Sequence, residues 1–479
     1  MADASFFWHD YETFGADARR CRPAQFAGVR TDAQLNEIEA PVMHYCAPAP
    51  DFLPDPDSCL ITGITPQRCL DQGLAEHAFA QAVHAELARP GTTGVGYNSI
   101  RFDDEVSRHL FWRNLIEPYG REWANGCARW DLLDPVRCAW ALRPEGIEWP
   151  LLEGRPSFRL EALAAANGLA HDAAHDALSD VRATLALARL LRARQPRLYE
   201  FCLGLRRKDA VLDQIGSGRP FLHISGMYGA QRGFMAAVWP LAPHPTNRNE
   251  LIVWDLAHDP SELLDLDPEA IRARLFVRQD ELAEGQTRVP VKTVHLNRAP
   301  VVIGKVETLS EERAAHWGLD LGAVREHASR AARHAAELAA PWAEVYARPG
   351  EREREDVDTA LYDGLVRDPD RRRLDELRAL TPEALAARVH AGRVHFDDAR
   401  LPELLFRYRA RNFAQTLDAD EAAQWRAHCA ARLHQGAPGT LALAAWQDRV
   451  DTLSESADER GVEVLEALVD YVTQIVPED

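Results

Sequence analysis

SFFWHDYETF (5–14) is a run of β-formers carrying two carboxylates, Asp10 and Glu12, two residues apart. On a strand that spacing puts both side chains on one face. Carboxylates beside Phe6, Phe7, Trp8 and Phe14 are costly to bury unless a cation compensates them, and a divalent ion does so. An edge strand with a solvated face carries the same pattern, so the pair has to be read with the rest of the chain.

Outward from this run, QFAGVRTD (25–32) and IEAPVMHYCAP (38–48) read as further strands of a meander. HAFAQAVHAELAR (77–89) is an amphipathic helix, TTGVGYN (92–98) a strand, and FDDEVSRHLFWRNL (102–115) a helix with acids in its first turn. SFRLEALAAANG (157–168) predicts a helix with Ser157 as N-cap and Gly168 as its stop. Asp176 to Arg194 is a long helix closed by Pro196. Strands first, then strand and helix in alternation, predict an α/β sheet covered by helices.

From about Pro196 the texture changes. PFLHISGMYG (220–229), FMAAVWPLA (234–242), ELIVWDL (250–256), RVPVKTVHL (288–296) and APVVIGKV (299–306) are short β-type runs. They predict a small barrel or sandwich with helical insertions at 261–275 and 310–340. PGEREREDVD (349–358) reads as a linker, and nearly everything beyond it as helix.

Two further groups bear on Asp10 and Glu12. Asp103 opens the helix after the 92–98 strand, where an acid also suits the helix dipole, and Asp104 and Glu105 are its rivals. HDAAHDALSDVRATL (171–185) sets His175 before a helix and Asp180 inside it, with His171, Asp172 and Asp176 as rivals.

Composition pulls the other way. The 479 residues carry 55 Lys plus Arg against 74 Asp plus Glu, a net charge of −19. That balance argues against coating nucleic acid through bulk charge but leaves room for a local basic groove. Only Lys208, Lys292 and Lys305 are lysines. The eight cysteines form no C-x-x-C pair, so they read as reduced hydrophobic fillers. The N-terminal apolar stretch Phe6–Trp8 is too short for a signal peptide or a membrane span, so a cytoplasmic protein is expected.

D-x-E on the first strand, Asp103 opening a later helix, and H-x-x-x-x-D at 175–180 resemble the three motifs of the DEDD superfamily of 3′→5′ exonucleases, histidine branch. The similarity extends through RPAQFAGVRTD (22–32), ITGITPQ (61–67), RFDDEVSRH (101–109), RWDLLD (129–134), ALRPEGIEWP (141–150), PSFRLE (156–161), HISGMYGA (223–230), PVKTVHLN (290–297) and LFRYRARNF (405–413), which look like bacterial exonuclease I. The resemblance implies a ribonuclease H-like exonuclease domain (1–195), an SH3-like barrel domain with helical insertions (196–348), a linker (349–358) and a C-terminal helical domain (359–479).

It implies that Asp10, Glu12, Asp103 and Asp180 hold two Mg²⁺ ions, with Mn²⁺ as a substitute, and that His175 is the general base. Two cations roughly 4 Å apart can stabilise both the attacking and the leaving oxygen of a phosphodiester displacement. The substrate it implies is single-stranded DNA, degraded processively to 5′-mononucleotides in repair and recombination. Strand contacts implied by matched positions are Glu12, Arg159, Arg108, Tyr119, Trp123, Arg137, Lys208, Arg232, Asn249, Lys292 and Asn297. For Tyr119 and Trp123 core packing is the competing reading. Lys208 and Lys292 are expected where a compact ammonium suits a phosphate. A monomer is expected. Its implied protein partner is the acidic C-terminal tail of single-stranded DNA-binding protein, through Arg143 and Phe201.

Overall fold

A computed structural model describes residues 4–170, 176–347, 356–437 and 440–476. His175, with its rivals His171 and Asp172, lies outside these residues, as do residues 349–355 of the expected linker. The chain forms two compact units, Met1–Ala128 with His171–Arg182 and Glu353–Asp479, and Arg129–Ala170 with Ala183–Arg352.

The first unit is built on the aromatic run. β1 (Ser5–Thr13) pairs antiparallel with β2 (Pro23–Thr31), and β2 with β3 (Val42–Tyr45), which makes the predicted meander. Helices α1 (Pro56–Thr62), α2 (Pro66–Gln72) and α3 (Glu76–Leu87) follow, the first two each opened by a proline with Asp55 or Thr65 as the cap. β4 (Thr92–Gly96) then lies parallel to β1, with Trp8 opposite Val95. α4 (Asp103–Arg113) comes next, and β5 (Ala128–Asp131) begins at the last residue of this unit. The sheet order is β3-β2-β1-β4-β5, so β1 is central and its side chains are buried on both faces. Phe7, Tyr11, Phe26, Phe79, Val83, Leu110 and Phe111 make the core on one side.

The C-terminal helices complete this unit. Trp446, Val464, Leu465 and Leu468 pack on Phe14, Ala24, Tyr45 and Cys59. Beneath them lies a buried ion network. Arg22 and Arg411 both reach Asp51 and Asp358, Arg407 reaches Asp356 and Asp358, and Arg432 reaches Asp356.

The second unit takes in α5 (Leu133–Leu142), the hairpin of β6 (Leu151–Leu152) and β7 (Arg155–Pro156), and α6 (Leu160–Ala166). α7 (Ala177–Arg194) begins in the first unit and ends in the second. α8 (Pro196–Gly204) and α9 (Lys208–Ile215) lead to a second five-stranded sheet. Its strands are β8 (Phe221–Ile224), β9 (Met235–Pro243), β10 (Glu250–Asp255), β11 (Val291–His295) and β12 (Val301–Ile303), in the order β11-β10-β9-β8-β12. Every measured pairing in it is antiparallel, as a small barrel requires.

Two local expectations are corrected. Ser157 does not cap α6. The backbone of Ser157 is tied to Pro150 and its hydroxyl takes the N–H of Arg159, so the helix starts at Leu160 with Arg159 in the cap position. The run 220–229 is not one strand either. β8 stops at Ile224, because Ser225 turns the chain by accepting the N–H of Met227, and Gly226–Tyr228 is a 3₁₀ turn.

Candidate active site

Alternation along β1 places Asp10 and Glu12 on one face, opposite Ala27 and Gln25 of β2. Asp180, on the first turn of α7, joins them, and one carboxylate oxygen of each of the three lies within 4.8 Å of the others. Asp103 enters from the start of α4. Its Oδ1 accepts the N–H of Tyr11, the residue between Asp10 and Glu12, at 3.1 Å. All four predicted carboxylates therefore converge.

The rivals are drawn off by other partners. Asp104 is held by Arg121 at 2.7 Å, and Glu105 by Arg108 at 2.7 Å and by the hydroxyl of Tyr362. Asp176 accepts the N–H of Ser179 at 3.2 Å and so serves the start of α7. Sequence reasoning missed Gln25. Its amide donates to Asp176 Oδ1 at 3.2 Å and its carbonyl takes the N–H of Ala177 at 3.2 Å, which pins the first turn of α7 beside Glu12. The available signal was its register, directly opposite Glu12 in the meander.

The electrostatics are those of crowded anions. Burial pushes the Asp10 carboxyl well above the usual range, and Asp103, Glu12 and Asp180 push it further. Burial, then Asp180 and Asp176, raise Glu12 to about 8. Among the described residues neither Asp10 nor Glu12 forms an ion pair with Lys, Arg or His. Crowded hard oxygen donors of this kind fit a divalent cation. A second group, His390, Asp418 and Glu421, has similar spacing, but Arg409 already neutralises Glu421 there, at 2.5 Å.

The expected strand contacts sort by exposure. Arg159 is exposed, with no carboxylate partner among the described residues. Trp123 is 70% exposed, so it is not a core residue. Tyr119 is half-buried under the Arg108 guanidinium. Arg108 is buried, with Nε and Nη2 on Glu122 at 2.7 and 2.8 Å and Nη1 on Glu105, so it braces α4.

In the second unit Lys208 donates to Asn249 Oδ1 at 2.7 Å, and the backbone of Asn249 takes the N–H of Leu296, next to the exposed Asn297. Arg137, Arg232 and Lys292 converge on the Gly226–Tyr228 turn. Arg137 packs on Gly226, while Arg232 and Lys292 lie 5.7 and 3.8 Å from the centre of the Tyr228 ring. Arg143 and Phe201 line one cavity of about 550 Å³ with Arg197, Lys305, Leu142 and Ile303. Arg197 and Lys305 were not foreseen as part of this group. Among the described residues no helix is long and apolar enough to cross a membrane.

Three family descriptions match successive stretches: Exonuclease at 7–188, Exonuclease I SH3-like domain at 206–348, and Exonuclease I C-terminal domain at 355–475. Exodeoxyribonuclease I of Escherichia coli is 42% identical over 480 residues, covering 99% of this chain and 98% of its own. Exonuclease I from Methylocaldum szegediense superposes with a TM-score of 0.93 at 46% identity, covering 99% of this chain and 100% of that one. The zinc-bound form of the E. coli enzyme with single-stranded DNA gives 0.91 at 41% identity, with the same coverage.

Proposed function

The chain belongs to the exonuclease I family and is an exonuclease, and from that premise we propose that it degrades single-stranded DNA from the 3′ end, processively and with Mg²⁺, releasing 5′-mononucleotides in repair and recombination. The observation that carries this reading is the cluster of Asp10, Glu12, Asp103 and Asp180, in which burial and neighbouring carboxylates raise the pKa of Asp10 and Glu12.

Those four residues would hold the divalent ions, which when bound stabilise charge on the oxygens of the scissile phosphodiester. The chain's own part is orientation and proton movement. β1 fixes two carboxylates on one face, the Tyr11 N–H fixes Asp103, and Gln25 fixes the turn that carries Asp180. Glu12 must give up its proton before it can act as a ligand. His175 takes the proton of the attacking water; an imidazole near neutral pKa suits that task. Arg159 and Trp123 hold the strand by phosphate and base, which needs no sequence preference.

The test uses end-labelled single-stranded DNA, duplex DNA and RNA with Mg²⁺. Stepwise loss from the 3′ end of the single strand is expected, with little duplex attack. Preference for RNA, or loss from the 5′ end, contradicts the reading.

We also infer that the cavity of Arg143, Phe201, Arg197 and Lys305 takes the acidic C-terminal tail of single-stranded DNA-binding protein. Three cations ring an apolar floor there, which suits a short acidic peptide ending in an apolar side chain. A labelled tail peptide should lose roughly tenfold or more in affinity to Lys305→Glu. Unchanged binding would rule out this cavity.

A further inference from the structure

The turn after β8 presents one residue whose exposure has a built cause. Met227 is 68% exposed, an apolar side chain standing among cations. Both neighbours are fixed. The Tyr228 hydroxyl is hydrogen-bonded to His223 Nδ1 at 3.0 Å, and its ring is covered by Lys292 at 3.8 Å. On the other side the Arg137 guanidinium occupies the space a Gly226 side chain would need, 2.8 Å from a Cβ there. Gly229, with φ of +79°, then reverses the chain. With its flanks held, the turn can only direct Met227 outward.

Scattered exposed apolar residues need no explanation, but this one is ringed by charge that is largely spent. Arg137 is tied to Asp134 at 2.7 Å and Arg232 to Asp255 at 2.6 Å. The Lys292 ammonium is buried against the Tyr228 ring, so little cationic charge at the surface of this turn is left to hold a polyanion by charge alone. A polarizable thioether adds a contact that charge does not supply.

We propose that Met227 is a base contact of the single-strand track: an unstacked base lies on its side chain while the partly exposed Arg137 and Arg232 meet the flanking phosphates and the buried Lys292 ammonium supports the turn from beneath Tyr228. This rests on the single-strand reading above. Every base offers a π face, so the contact is sequence-tolerant, as a processive exonuclease needs.

The test is a cycle between protein and ligand, read by fluorescence anisotropy on the full chain in EDTA. The probes are an oligothymidylate and a strand of equal length made of abasic sites. Met227→Ala should weaken thymidylate binding roughly 2- to 10-fold and leave abasic binding unchanged, and Met227→Leu should recover most of the loss. The salt slope should stay the same in Met227→Ala and fall by about one in Arg232→Ala. Equal losses on both strands, or none on thymidylate, overturn the inference. A wild-type protein that binds neither strand, or an Arg232→Ala slope equal to wild type, overturns the strand-track reading itself.

Discussion

The first unit buries two groups of carboxylates, and they are held in opposite states. At Asp51 and Asp358 burial pulls the pKa upward, but Arg411 and Arg22, with further arginines, overcome it and hold both well below the usual range. At Asp10 and Glu12 burial acts in the same direction, and the neighbours are other carboxylates that reinforce it. Desolvation raises the carboxyl pKa in both groups, and the partners decide the outcome. A network that carries its own cations is a brace between Arg22 and Asp51 of the sheet region and the C-terminal helices. Asp10 and Glu12 have no such cation partner among the described residues, and crowded carboxylates of this kind suit a divalent ion.

The contrast breaks most visibly at activity. Asp180→Asn should lower nuclease turnover by more than about 100-fold with little effect on folding, measured by release of label and by thermal unfolding. Near-normal turnover would remove Asp180 from the ligand set. The matching change in the other group, Asp358→Asn, should cost about 3–5 kcal/mol of stability, because it leaves buried guanidinium groups without their partner, and added metal should not restore it. Urea unfolding measures this. A loss that Mg²⁺ repairs would mean that the two groups are not distinct in kind.

The smallest effect is a pH dependence. Glu12 is raised to about 8 in the fold, so the folded state holds its proton where the unfolded chain, near 4.3, has lost it. Its contribution is fully present below about 4.3 and is lost as pH rises toward 8. Glu12→Gln should therefore gain stability over metal-free wild type progressively between these values and level off above them. A constant difference across pH would show that Glu12 is not held in the protonated form. For Asp51 and Asp358 the sign is reversed: their contribution is present above the unfolded carboxylate range and is lost as pH falls through the depressed folded values.

Much of this was legible in the sequence where the signal is local. Period-two alternation put Asp10 and Glu12 on one face, and the strand-then-helix alternation gave the sheet order its broad form. Local pattern could not choose among Asp103, Asp104 and Glu105. Arg121 from beyond the helix and Arg108 from the next turn of α4 make that choice, and the Tyr11 backbone completes it. The partner of Arg108 was not legible either, since a guanidinium looks the same in sequence whether it faces solvent or Glu122. The brace was invisible because Arg22 and Asp358 are 336 residues apart. Gln25 carries no chemical signature of its own; register alone gives it a role.

The central claim is that the crowded carboxylates of Asp10, Glu12, Asp103 and Asp180 gather divalent ions. Titration of Mn²⁺ into the metal-free protein at pH 7, with bound ions counted by electron paramagnetic resonance, tests it most directly. About two ions per chain are expected, with release of protons and with binding reduced in Asp180→Asn but not in Glu421→Gln. Binding that is absent, or equal in Asp180→Asn and wild type, would contradict it.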